Sequence, residues 1–223
     1  MRSEMVSFAA NGGSADGYLA VPDQPGPGVL VIQEWWGLVG HIKEVADRFA
    51  EAGFTALAPD LFHGEATTSP DEAGKLFMAL EVDRAEQDLR GAADHLATVA
   101  SGDSVGVVGF CMGGQLALYA ASKSPRIGAC ADFYGVHPNV HPDYGAIRCP
   151  VLGLFAENDG FVNAEAVANL DASLNGAGVA HEFHTYPGTD HAFFNDGRPE
   201  VYDADAAADA WDRVIRLFRG SLG

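Results

Sequence analysis

The chain has 223 residues, 48% hydrophobic and 20% charged, which suits one globular domain with a sizeable core; a single domain over residues 1–223 is expected. Thirteen Lys and Arg against 31 Asp and Glu give a formal net charge of −18, a surface that repels phosphate backbones and anionic membranes, so neither nucleic acid nor membrane is expected as a partner. No apolar run approaches the roughly 20 residues that span a bilayer, and the opening MRSEMVSFAANGG lacks the apolar core of a signal peptide, so a cytoplasmic location is the expectation.

In chain order, Met5 to Val21 alternates around Asn11-Gly12-Gly13 and reads as a β-hairpin. Gly28 to Gln33 is a buried strand that ends in Glu34-Trp35-Trp36-Gly37. Ile42 to Ala52 carries a helical stripe closed by Gly53, and Phe54 to Ala58 is the next strand. Pro70 to Ala100 holds two helices, with Leu76, Met78 and Leu80 in the first and Leu89, Ala92, Ala93 and Leu96 in the second. Further strands are expected at Val105–Val108, Ile127–Phe133, Val151–Phe155 and His181–Tyr186. Further helices are expected at Gln115–Ala121, Asn163–Asn175 (ending at Gly176) and Ala204–Phe218. Strands alternating with helices imply an α/β fold, a mostly parallel central sheet with helices on both faces. Ligands of such sheets bind beyond the carboxyl ends of the strands.

Three cysteines, Cys111, Cys130 and Cys149, form no CxxC pair, and an odd count argues against a disulfide framework. Only Cys111 has distinctive surroundings. SVGVVGFCMGGQLAL reads as strand, Gly-x-Cys-x-Gly, helix, the pattern of a nucleophile elbow with Cys in place of the more usual Ser. The helix starting there turns free N–H groups and its positive dipole end toward the sulfur, and such a field favours the thiolate, the attacking species. A buried, inert cysteine in a Gly-rich turn is the plainer alternative.

Asp159 ends VLGLFAEND after one strand, and His191 lies in YPGTDHAFF after the next. Nucleophile, acid and histidine thus occur in the α/β-hydrolase order, with His191 handling the nucleophile's proton and Asp159 orienting the imidazole. A carboxylate after a strand also serves as a helix cap, and Glu157 and Asn158 compete for the same role. Backbone N–H groups after the nucleophile and after the Gly28–Gln33 strand would form the oxyanion hole, which nominates Met112 and Trp35. His137 and His141 are four apart, but Pro138 and Pro142 break the helix that would present them together, so no metal is expected, nor any organic cofactor.

The stretches VLVIQEWWG, FTALAPDLF, VGVVGFCMGG, DFYG, PVLGLFAEND and YPGTDHAFFNDGRPEVYD resemble the dienelactone hydrolase (carboxymethylenebutenolidase-like) family, from about Gly28 to Phe218. The resemblance implies an α/β-hydrolase fold, with Cys111 as nucleophile, His191 as base and acid and Asp159 as its partner. It also implies that Glu34 is the gating carboxylate that engages the resting thiol, and that Tyr134 lies near the site. Two arginines hold the substrate carboxylate in that family. One should stand four residues after the histidine, where this chain has Asn195; the nearest arginine is Arg198. The other is expected around Pro70 to Lys75, where there is none, leaving Lys75 or Arg84 as substitutes.

The expected function is therefore hydrolysis of a small-molecule ester or lactone, less anionic than dienelactone, through a thioester acyl-enzyme. Trp35, Trp36, Phe77, Tyr134 and Phe193 would wall an aromatic pocket, with Arg198 as the cation nearest to it. The protein would be a monomer or small homo-oligomer. A redox-sensing or ligand-binding protein on a hydrolase scaffold, and a thioesterase, are the competing readings.

Overall fold

Eight strands join into one sheet in the computed structural model, which describes residues 1–223: β1 (Arg2–Ala10), β2 (Gly13–Val21), β3 (Pro27–Ile32), β4 (Thr55–Pro59), β5 (Ser101–Phe110), β6 (Ile127–Phe133), β7 (Val151–Ala156) and β8 (His181–Tyr186). Their spatial order is β1-β2-β4-β3-β5-β6-β7-β8. The hairpin β1–β2 joins β4 antiparallel, and every pairing from β4 through β8 is parallel. This is the expected α/β fold with a mostly parallel sheet.

The period of two in β3 shows why both faces are covered. Val29 and Val31 enter one apolar core, while Leu30 and Ile32 enter the other. Helices α1 (Gly40–Glu51) and α6 (Ala204–Leu222) close the first face. Helices α3 (Val82–Val99), α4 (Met112–Lys123) and α5 (Ala164–Ala177) close the second. Helix α2 (Pro70–Ala79) buries only Ala73 and packs beside the carboxyl ends of the strands rather than on a face.

Helix ends depart from expectation for local reasons. Helix α5 runs through Gly176 and stops at Gly178, which has the left-handed φ of 70° and donates its N–H to the carbonyls of Asn175 and Leu174. Leu80 lies at the C-cap of α2, with a non-helical ψ of 117°, rather than within the helix. Helix α6 continues past Phe218 because Leu222 extends the same apolar stripe.

Register converts sequence distance into proximity. Ile32 pairs with Gly109, and Phe110 pairs with Phe133. Two residues beyond Ile32 on β3, and one beyond the last pair on β5 and β6, stand Glu34, Cys111 and Tyr134, side by side at one rim.

Candidate active site

The turn at Cys111 is strained and firmly held. Its φ of 53° and ψ of −117° lie where an L-residue costs about 1–3 kcal/mol unless its surroundings over-determine it. Here they do: the Cys111 N–H donates to the Phe133 carbonyl (3.0 Å), and its carbonyl accepts from Gly114 (3.0 Å) and Val136 (3.1 Å). The close approach needs two glycines. A Cβ on Gly109 would lie 1.9 Å from the Gly113 carbonyl oxygen, and one on Gly113 would lie 2.4 Å from that of Ile32.

Cys111 is 9% exposed, and burial pushes its thiol well above the ordinary range. The Glu34 carboxylate pushes the same way, as more weakly does Asp159, while the amides of Met112 and Trp35 favour the anion. The two backbone donors nominated for an oxyanion hole therefore both lie at the sulfur. Glu34 is itself buried, and that burial raises its proton affinity against the opposing pull of His41, Asn195, His191 and Arg198. Asn195 Nδ2 donates to Glu34 Oε2 at 2.6 Å.

Asp159 Oδ2 lies 2.6 Å from His191 Nδ1, and Oδ1 accepts from the amides of Phe161 (2.7 Å) and Val162 (2.9 Å). Burial would raise the Asp159 proton affinity, but the His191 hydrogen bond and charge and these two amides outweigh it, and the carboxyl lies below its ordinary value. The cap of α5 is Asn163, whose side chain accepts from the Ala166 amide, so Asp159 is free of that duty. Glu157 is directed elsewhere, accepting from the Gly188 amide. Cys111 and His191 share no hydrogen bond in this state; both face one cavity of about 480 Å³.

Glu34, Trp35, Trp36, Phe77 and Arg198 line that cavity, together with Pro70, Val136, Pro138, Phe161 and Ala192. Arg198 is the one cation in its wall, and its guanidinium is occupied by Glu200 at 2.9 Å while lying 5.9 Å from the Trp36 ring centre. The walls are therefore mainly apolar, with Glu34, Cys111, His191 and Arg198 as the polar groups among them.

A model of the dienelactone hydrolase family matches residues 15–222. The chain belongs to the dienelactone hydrolase family. Protein usf of Aquifex pyrophilus is 40% identical over 228 residues, covering 98% of this chain and 99% of its own. A protein of Aquifex aeolicus (strain VF5), provisionally named a carboxymethylenebutenolidase, is 35% identical with the same coverage. The solved structure of a dienelactone hydrolase-like promiscuous phosphotriesterase from metagenomic libraries superposes with a TM-score of 0.87 at 27% identity, over 100% of this chain and 99% of that one. As a member of this family, the chain is an α/β-hydrolase acting on lactones or esters.

Two residues expected in the pocket wall of this dienelactone hydrolase family member lie behind it. Phe193 is fully buried and packs on Phe133, Tyr134 and Tyr186, because Ala192, at φ 69°, turns the chain inward directly after His191. Tyr134 is also fully buried and supports the His191 ring from 4.9 Å instead of facing substrate. Neither Lys75 nor Arg84 reaches the cavity, and Arg84 lies beside His63 in a separate hollow between α2 and α3. Phe161 went unnoticed in the sequence: it is 67% exposed at the cavity mouth, 5.2 Å from the His191 ring. Its one signal was its position two residues after Asp159.

Proposed function

We propose that Cys111, His191 and Asp159 form the catalytic triad of this hydrolase and that its substrate is an ester or lactone less anionic than dienelactone. The observation that carries this reading is the Asp159–His191 pair opening, with the strained Cys111 turn, into one mainly apolar cavity. Glu34 takes the Cys111 proton when substrate enters, and the thiolate attacks the acyl carbon. The amides of Trp35 and Met112 receive the oxyanion. As the C–O bond breaks, the proton passes by way of His191 to the leaving oxygen. His191 then draws a proton from water, the hydroxide adds to the thioester, and the C–S bond breaks as that proton returns to sulfur.

The raised thiol of Cys111 disfavours the redox-sensor reading, because such cysteines are acidic and accessible. The pairing of Arg198 with Glu200 and the presence of Asn195 opposite Glu34 support the less anionic substrate.

Hydrolysis of 4-nitrophenyl acetate and of cis- and trans-dienelactone, before and after iodoacetamide, tests both parts. The neutral ester is expected to be cleaved at least about tenfold faster than the dienelactones, and alkylation to abolish this, since Cys111 lines the cavity whereas Cys130 and Cys149 are buried away from it. Dienelactone turnover faster than that of the ester would overturn the substrate proposal. Asp159→Asn is expected to lower kcat about 10³- to 10⁴-fold, by releasing the His191 tautomer, while leaving the unfolding midpoint within a few degrees.

A further inference from the structure

Glu34 has a second histidine near it, one that takes no part in the steps above. His41, near the start of α1, has a side chain only 7% exposed. Its ring packs edge-on against Phe110, the residue before Cys111, and against Phe194, with centroids 6.3 Å away in both cases. Nδ1 lies 3.0 Å from Asp196 Oδ1, whereas Nε2 is buried with no hydrogen-bond partner. The loop after β8 ties the two groups together, since Asn195 holds Glu34 at 2.6 Å and its neighbour Asp196 holds His41.

The remaining groups around Glu34 are His191 and Arg198, which line the same cavity, and Cys111 and Tyr134, both of which burial keeps protonated. His41 acts on Glu34 more strongly than His191 or Arg198 does. Around His41 itself the charged groups are Asp196 and Glu34, with Arg198 and Glu200 in the hollow that His41 helps to line, and Phe110 and Phe194 pack on its ring.

We propose that His41, held by Asp196, is a positioning residue for thiol activation: its cationic form keeps buried Glu34 ionised and able to accept the Cys111 proton. This rests on the reading of Glu34 as that acceptor. His41–Asp196 is then a second His–Asp pair, serving the carboxylate as His191–Asp159 serves the acyl chemistry. The proton moves only from sulfur to Glu34; His41 acts by charge.

The test is the rate of Cys111 alkylation by iodoacetamide as a function of pH, which needs no substrate. In the unaltered chain the rate should fall on the acid side as Glu34 takes up a proton. Glu34→Gln should remove that limb. His41→Gln, by withdrawing the cation, should move the limb to higher pH by about one unit, a roughly tenfold slower reaction at a fixed acid pH. In the Glu34→Gln background, His41→Gln should change nothing further. Asp196→Asn, at a half-exposed position that does not threaten folding, should move the limb the same way by less. If Glu34→Gln leaves the limb in place, the reading of Glu34 fails whatever His41 does. If Glu34→Gln removes the limb but neither His41→Gln nor Asp196→Asn moves it, with any slowing equal at every pH, His41 merely packs and the proposal is overturned.

Discussion

Cys111→Ala is expected to lower kcat/KM for 4-nitrophenyl acetate at least about 10⁴-fold while leaving the protein folded. On the proposed mechanism the size follows from the loss of the covalent thioester intermediate. In the alanine variant the amides of Trp35 and Met112 and the His191–Asp159 pair remain, but they have no nucleophile to assist, and the residual rate is that of water in an oriented site. The fold is expected to persist because alanine keeps the Cβ of the strained turn, and the hydrogen bonds holding that turn come from the Cys111 backbone. Steady-state kinetics on the purified variant, alongside its unfolding midpoint, make the check. Activity within tenfold of the unaltered chain would exclude Cys111 as nucleophile and return attention to water as the attacking species.

Gly109→Ala is expected to destabilise the protein by about 3 kcal/mol or more, or to prevent folding altogether. The added Cβ would lie 1.9 Å from the Gly113 carbonyl oxygen and 2.8 Å from the Gly114 nitrogen, both backbone atoms of the first turn of α4. No rotamer change relieves a backbone clash, so β5 and α4 must separate at the point where each is most buried. For a chain of this length 3 kcal/mol corresponds to a Tm lower by about 6–12 °C. Gly74→Ala provides the contrast. Its Cβ meets nothing within 4 Å in α2, and the gain in helix propensity should raise stability by about 0.5–1 kcal/mol. Equal and small effects at the two positions would show that the elbow has room the glycines do not reveal.

The parts of this protein legible in its sequence are those whose cause is local. The strands of the parallel sheet announce themselves because a strand buried on both faces must be apolar at consecutive positions, as in GVLVI and VLGLF. The turn at Cys111 is legible in part for the same reason: the clash that requires glycine at 109 arises within five residues, whereas the one at 113 is with the Ile32 and Gln33 carbonyls, far away in sequence. Asp159 and His191 could be nominated because the carboxyl ends of parallel strands share one rim. The Asn163 cap and the 2.6 Å contact to His191 then separate Asp159 from its neighbours.

Composition and pattern by themselves determined the layered α/β architecture, the apolar sheet and the tight turn bearing Cys111. Tertiary structure alone decided which side chains face the cavity and how they are charged. Phe193 and Phe161 carry the same side chain near the two ends of one hydrogen bond, yet the left-handed turn at Ala192 buries the first while the second stands at the mouth. Glu34 meets Asn195 across 161 positions and His41 meets Asp196 across 155. The cause is physical: periodicity reports burial along one element, whereas the proton affinity of a buried carboxylate depends on burial and on whichever charges the fold brings around it.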